Sequence, residues 1–337
     1  MKPVRIGFIG AGGNTRLRHL PGFAEIAGVE LVAVANRSLA SSQRVAAEFG
    51  IDRVHSDWRE IIAAEDIDAV CIGTWPNTHA EMAGAALAAG KHVLVEARMA
   101  SSLAEAKAMA AAAAARPDRV AQIVPSPFTL EADDVIQRCV ASGELGELRR
   151  ISSEHTTEAT LDPDAALSWR QDERLSGINT MALGICYEPM LRWFTGDAAV
   201  SAAEAAVVTP QRRDADGREH TITIPERLTV AGHWGEAILH MSQSSVDPGP
   251  ARCIYEIEGA KATLRYDAYA RELSMKSVDG ADRKITIPHV PNGGWAVEEQ
   301  FIASIRSGAP VTLTDFTTGL RYMAFTDAVW QDANRPA

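Results

Sequence analysis

Gly10, Gly12 and Gly13 are the residues of this chain whose type and spacing point most directly to chemistry. A short apolar run (Val4, Ile6, Phe8, Ile9) precedes them, and a helix is predicted to start just after. Strand, glycine turn and helix in that order suit a dinucleotide diphosphate. Gly10 permits the tight turn, and Gly12 has no Cβ, so the backbone can approach the phosphates. The helix start then offers N–H groups and a partial positive charge. Gly10, Gly12, Gly13 and Asn14 are assigned to a dinucleotide on these grounds. Thr15 stands where the fingerprint has glycine or alanine, and is read as helix packing or as a hydroxyl contact to phosphate. Asn36 and Arg37 follow the second predicted strand. An acidic residue there would hold the ribose hydroxyls and repel a 2′-phosphate, whereas Arg37 can pair with one. Both are assigned to the cofactor, NADP or NAD, with a slight preference for NADP.

Other reactive side chains give no comparable pattern. Cys71, Cys139, Cys186 and Cys253 are scattered without a C-x-x-C pair, and the nine histidines show no ligand spacing, so no metal site is expected. The net charge of −11 argues against nucleic acid as a partner. With 46% apolar and 23% charged residues, the composition excludes a disordered chain. No signal peptide opens the sequence and no apolar run is long enough to span a bilayer, so a cytoplasmic protein without membrane contact is expected.

The elements that must position these residues alternate over residues 1–124. Strands are predicted at Glu30–Ala35, Ala69–Ile72, His92–Glu96 and Val120–Val124, with helices at Ser41–Phe49, His79–Ala89 and Leu103–Arg116. This rhythm implies an α/β, doubly wound parallel Rossmann sheet, in which ligands bind at the carboxyl ends of the strands. From residue 125 to 337 the rhythm changes. A helix at Glu131–Ser142, a strand at Leu148–His155 and a helix at Thr180–Phe194 lead into strands at Arg227–His233, Ala237–Ser244, Cys253–Glu258, Ala262–Tyr266 and Glu272–Lys276. Pro210–Arg218 reads as a polar excursion. Helices at Trp295–Ser307 and Phe316–Asn334 close the chain, and are expected to be able to pack back on the first domain. The second domain is therefore α+β with an open, mostly antiparallel sheet. Such a sheet has one uncovered face, which suggests a homodimer or homotetramer.

Several stretches resemble the glucose–fructose oxidoreductase, inositol dehydrogenase and rhizopine-catabolism family (Gfo/Idh/MocA). Thr74-Trp75-Pro76-Asn77-Thr78-His79 is similar to its T-P-N-x-x-H loop, and Ala88–Glu96 to its A-x-G-K-H-V-L-x-E segment. Ser168-Trp169-Arg170 resembles a W-R pair that touches the cofactor. Gly184, Arg192-Trp193 and Gly196 resemble the frame of the second-domain helix, and Glu299–Thr312 resembles an E-x-F-x-x-x-I-x-x-G-x-P stretch. The resemblance spans nearly the whole chain. It implies a Rossmann domain with an open-sheet domain for substrate binding and oligomerisation, and a sugar, polyol or sugar acid as substrate. It also implies cofactor contacts from Thr74, Pro76, Asn77, His79, Glu96, Trp169 and Arg170. His79, opening a helix, is read in addition as a structural hydrogen-bonding residue of that loop.

The departures from the family bear on catalysis. Where the family has Glu-Lys-Pro, this chain has Glu96-Ala97-Arg98, and alignment on the second-domain helix puts Ala182 and Cys186 at the family's aspartate and histidine. Losing general acid–base help costs about 10²–10⁴-fold in rate. One reading keeps a nicotinamide-dependent oxidoreductase with a relay built from other residues. Tyr187 and Arg98 are its candidate catalytic residues, the phenol as proton carrier and the guanidinium as the cation that tunes it or binds a carboxylate. Glu188, Asn179, Glu154 and His155 are further polar candidates, and only one of Glu154 and His155 can face the site because strand neighbours alternate. The other reading is a dinucleotide-binding sensor or regulator without redox turnover, or a lyase-like enzyme using the cofactor transiently. With no proline at position 98, a trans Ala97–Arg98 bond and a re-routed Met99–Ser102 loop are expected.

Overall fold

The computed structural model describes residues 2–179 and 182–335. Six strands, Val4–Ile9 (β1), Val29–Ala35 (β2), Arg53–His55 (β3), Ala69–Ile72 (β4), His92–Val95 (β5) and Ala121–Ile123 (β6), form a sheet of order β3-β2-β1-β4-β5-β6. Every pairing is parallel. The central strands are apolar on both faces because helices cover both, and Ala69, Val70, Cys71 and Ile72 are all buried. The order reverses between β1 and β4, and the carboxyl ends of these strands define the crevice in which such sheets take ligands. The short β3 and the helix Trp58–Ala63 after it were not among the predicted elements.

Two units divide the chain. The first runs to Pro125 and takes up Ala296–Leu320; the second comprises Ser126–Trp295 and the chain from Arg321 onward. The helix Phe316–Ala333 thus begins in one and ends in the other. In the first unit Val297–Ser307 is helical, and Gln122 of β6 forms a single bridge with Asp315.

The second unit holds a small hairpin, Gln211–Arg213 (β9) with Glu219–Thr221 (β10), and an eight-stranded sheet. The strands of that sheet are Leu148–Thr156 (β7), Ala199–Ala206 (β8), Arg227–Trp234 (β11), Ala237–Ser244 (β12), Arg252–Gly259 (β13), Ala262–Asp267 (β14), Glu272–Ser277 (β15) and Asp282–Ile285 (β16). Their order is β16-β15-β14-β13-β7-β12-β11-β8, antiparallel except for β7 beside β12. Burial alternates along β11, so Leu228, Val230 and Trp234 face inward and Arg227, Thr229 and His233 outward. The helices Asp133–Ala141 and Leu183–Trp193 lie on the inward side. Tyr187 packs on Trp234 and Trp193 on Tyr255, with ring centroids 5.3 and 5.1 Å apart. Arg192 and Trp193 both donate to the Asp133 carboxylate, at 2.9 Å each, which ties the two helices together. The predicted start of the second helix, Thr180, lies outside the described residues. The outward face is polar, with Arg150 paired to Glu256 and Glu258 and Arg252 to Glu154.

Candidate active site

At the end of β1 the backbone turns through Gly10 at φ +79°, where a Cβ would stand 2.4 Å from Thr74 Cγ2 and 2.8 Å from the Thr74 nitrogen. Only glycine fits that approach. Gly12 and Gly13 are exposed, and a Cβ on Gly13 would meet nothing within 4 Å. The protein therefore does not need glycine there for its own packing, and the uncovered backbone is open to a ligand. The helix that follows contains a wider turn over Thr15–His19. Thr15, His19 and Phe23 recur every four residues and are buried along one stripe. Thr15 packs on Gly73, where a Cβ would come within 2.1 Å of its hydroxyl. Packing is thus the reading of Thr15 that the geometry supports.

Asn36, at the end of β2, accepts the Ala11 N–H at 2.6 Å and donates to Ser41 Oγ at 3.0 Å. Its side chain braces the glycine turn. Arg37 is exposed, with its guanidinium 5.3 Å from the Trp75 ring centroid. Thr74 and Trp75 follow β4, Thr78 donates to Thr74 Oγ1 at 2.7 Å, and Pro76 takes the first helical position of Pro76–Ala88 with Asn77 exposed beside it. His79 is fully buried. Its Nδ1 lies 3.0 Å from the Arg98 carbonyl and 3.2 Å from that of Met99, and its Nε2 lies 3.1 Å from that of Thr74. Burial lowers its pKa, so the ring is neutral and donates to one of these carbonyls at a time.

The stretch beyond β5 departs from expectation. The Ala97–Arg98 peptide is cis, not trans. Arg98 is 5% exposed.

Glu96 follows the same strand directly. It accepts from Asn14 Nδ2 at 2.5 Å and faces His19 Nε2 at 3.1 Å, and the other His19 nitrogen bonds Glu298. Burial pulls the His19 pKa down, but the hydrogen bonds and charges of Glu298 and Glu96 outweigh it and raise it to about 9. Burial pushes the Glu96 carboxyl up, and the hydrogen bond and charge of His19, with the Asn14 hydrogen bond, hold it below the usual range. A buried carboxylate–imidazolium–carboxylate chain thus stands behind the glycine turn. Sequence reasoning missed His19 and Glu298. The four-residue stripe of Thr15, His19 and Phe23 was the available signal.

The second unit carries the remaining candidates. Trp169 and Arg170 sit in the segment after β7, with the guanidinium 4.5 Å from the indole centroid. Arg212 of β9, itself buried, pins this segment. It donates to the Thr160, Asp162 and Ala165 carbonyls and pairs with buried Glu226 at 3.2 Å. Glu226 also accepts from Val208 N, Thr209 N and Gln171 Nε2. The stretch read as a polar excursion is an exposed hairpin turn, from which Arg212 alone is buried.

Tyr187 is not placed to carry a proton to a substrate. It is 0% exposed, its ring stacks on Phe325 at 3.9 Å, and its hydroxyl accepts the Ala198 N–H at 2.9 Å. Burial raises its pKa further from the working range. Its position on the apolar stripe of the helix makes it a core residue. Glu188 is likewise structural, bonded to Arg192 and to the Ser126 N–H. Asn179 is buried and donates to the Ser176 carbonyl at 2.5 Å. Of the two β7 neighbours, Glu154 lies on the outward face with Arg252, while His155 lies on the inward face in register with buried Cys253. Cys186 is buried against Tyr255.

The residues of the first unit fit a dinucleotide. Uncovered glycine backbone opens a helix at the strand reversal, and Asn36, Thr74, His79 and Glu96 converge on the same strand ends as Gly10 and Asn14. Among the described residues no cluster of metal-ligating side chains occurs, and no helix is long and apolar enough to cross a membrane.

Comparison with known proteins agrees. Residues 4–123 match the model of an oxidoreductase family with an NAD-binding Rossmann fold, and residues 135–265 match the GFO/IDH/MocA C-terminal domain. The chain is 27% identical over 285 residues to dTDP-3,4-didehydro-2,6-dideoxy-alpha-D-glucose 3-reductase of Saccharopolyspora spinosa, covering 84% of this chain and 80% of that one. It is 29% identical over 185 residues to levoglucosan dehydrogenase of Pseudarthrobacter phenanthrenivorans, covering 54% and 46%. A solved levoglucosan dehydrogenase, in complex with NADH and L-sorbose, superposes with a TM-score of 0.87 at 22% identity, over 99% of this chain and 97% of that one. With both halves matched in order, the chain belongs to the GFO/IDH/MocA family of NAD(P)-binding oxidoreductases.

Proposed function

We infer that this oxidoreductase moves hydride between NAD(P) and a carbon of a sugar, polyol or sugar acid. The observation that carries the reading is the uncovered Gly12–Gly13 backbone at the reversal of the strand order, behind which Glu96 is held by Asn14 and His19. The bound dinucleotide supplies the hydride acceptor or donor. Gly10, Gly12, Gly13 and Asn14 would take its diphosphate; Thr74, Pro76, Asn77, His79 and Glu96 would line its path along the strand ends. Trp169 and Arg170, on the clasped segment of the second unit, are the contacts proposed from there. The substrate class is supported by relatives named as a deoxysugar reductase, a levoglucosan dehydrogenase and an inositol dehydrogenase. A binder without turnover, or a lyase-like enzyme, finds no support among these relatives.

NADP is proposed over NAD. No carboxylate follows β2, Asn36 is occupied by the turn, and Arg37 stands exposed with its guanidinium over Trp75. Arg98 remains the cation proposed for an acidic substrate. Assembly as a homodimer or homotetramer through the outward sheet face, in the cytoplasm, belongs to the same reading.

The test is turnover. Purified protein with NAD⁺ or NADP⁺ is offered myo-inositol, levoglucosan, glucose and gluconate, and the reduced-nicotinamide absorbance is followed. Reduction of the cofactor with at least one of these is expected. Tight dinucleotide binding by calorimetry with no reduction across the panel would overturn the reading.

A further inference from the structure

The chain of polar side chains behind the glycine turn is anchored at its buried end. Glu298 lies in the first turn of the helix Val297–Ser307 and is 1% exposed. The helix after the glycine turn meets it at Gly22, where a Cβ would stand 3.0 Å from the Glu298 carboxyl group. Beside this contact Phe23 packs edge-on against Phe301, with ring centroids 6.1 Å apart. That close approach holds Glu298 against His19 Nδ1. From His19 the chain runs through Glu96, 3.1 Å from Nε2, to Asn14, whose Nδ2 donates to Glu96 at 2.5 Å. Asn14 is exposed at the start of the helix, beside the bare backbone of Gly12 and Gly13. The other end of the chain therefore opens on the surface assigned to the dinucleotide.

Packing alone does not call for this arrangement. Leu20 and Phe23 of the same helix are buried and apolar, and an apolar residue at position 19 would continue their stripe. A buried imidazolium with a carboxylate on each nitrogen instead fixes the ring, because both nitrogens donate. The charged groups facing it are Glu96, after β5, and Glu298. Cys71 of β4 lies in the field of both carboxylates, and burial together with those charges keeps its thiol protonated. His79, on the helix Pro76–Ala88, stands near Glu96 and is neutral. Phe8 of β1 packs on Phe23 with ring centroids 6.0 Å apart and brings no charge. Two carboxylates and one imidazolium leave a single net negative charge; loss of the imidazolium proton doubles it.

Resting on the dinucleotide reading above, we propose that His19 is a positioning residue that holds Asn14 and Glu96 in place for the dinucleotide and sets the preference between its oxidised and reduced forms. Arg37, after β2, is proposed for the 2′-phosphate of the adenosine half. The nicotinamide half then belongs on the side of β4 and β5, where Glu96 stands. An oxidised nicotinamide carries a positive charge that the reduced ring lacks. A second net negative charge on the chain therefore favours the oxidised form, while the phosphates common to both forms cancel from the ratio. Burial works against the charge on His19, but the hydrogen bonds and charges of its two carboxylates outweigh it and bring the pKa to about 9. The preference is accordingly steady through neutral pH and changes as that proton leaves.

The test is calorimetry of the intact protein with the oxidised and reduced forms of NADP and of NAD, from pH 7.5 to pH 10. In the wild type the affinity for the oxidised form relative to the reduced form is expected to rise about fivefold, with its midpoint near pH 9. Glu298→Gln removes one of the two charges that hold the imidazolium, from behind the ring and away from the bare backbone. It is expected to move that midpoint down by about one pH unit. His19→Gln is expected to weaken both forms about tenfold and to abolish the step near pH 9. A merely structural role for the chain would weaken both forms alike and leave their ratio independent of pH. A wild-type ratio that does not change with pH, or a midpoint unmoved by Glu298→Gln, overturns the proposal and leaves dinucleotide binding standing. Absence of binding of any of the four forms across the pH range overturns both.

Discussion

In the first unit the polar side chains at the strand ends are bonded to one another: Asn14 to Glu96, Glu96 to His19, His19 to Glu298, and Asn36 to the glycine turn. In the second unit the buried charges are equally well paired, Arg212 with Glu226 and Arg192 with Asp133 and Glu188. The two sets differ in what they hold: the first stands beside backbone left uncovered at Gly12 and Gly13, whereas the second ties helices and a hairpin of its own unit together. Dinucleotides are nearly invariant molecules, so a cradle for them can be fixed by glycines and braces. Relative to the family motifs the chain departs at Ala97, Arg98, Ala182 and Cys186, and also at Thr15 beside the glycine turn.

This contrast predicts unequal responses to mutation. The largest effect is expected in the second unit. Arg212→Met leaves Glu226 buried without its cation, and removing one partner of a buried pair costs about 3–5 kcal/mol. Urea unfolding should show that loss, and limited proteolysis should open the 157–171 segment. An unchanged midpoint would mean that the clasp is ornamental and that the two units differ less than described. A smaller, pH-dependent effect is expected in the first unit. His19 has a folded-state pKa near 9, above its ordinary 6.5. Its contribution to stability is therefore complete below pH 6.5 and disappears as pH rises through about 9, amounting to about 3 kcal/mol or less. Tm measured from pH 6 to pH 10 should fall along that course, and His19→Gln should flatten it. The smallest effect sharpens the cofactor assignment. Arg37→Ala is expected to weaken NADP about tenfold, near 1.4 kcal/mol, while leaving NAD within twofold by calorimetry. Equal losses for both would remove the argument for NADP.

Much of the first unit was legible because its signals are local. Gly10 reports a positive φ, the Ala69–Ile72 run reports a strand buried on both faces, and Pro117 ends an alanine-rich helix. Where the signal was short or nonlocal it failed. Arg53–His55 has too few residues to show a period. Ala199–Ala206 is rich in alanine, a weak strand former, and is extended because β11 offers it a ladder. His19 needed knowledge that Glu298, nearly the whole chain away, would meet it. Tyr187 looked chemical because it neighbours Cys186, but the helix turns consecutive residues to different sides, and its side is the core.

The segment Ala296–Leu320 returns to the first unit after a long absence, bringing the carboxylate of Glu298 with it. A fragment ending at residue 125 would therefore expose an imidazole whose counter-ion has been left behind. Chimaeras that exchange the nucleotide half between relatives need two junctions rather than one, and the returning stretch must travel with the amino-terminal part.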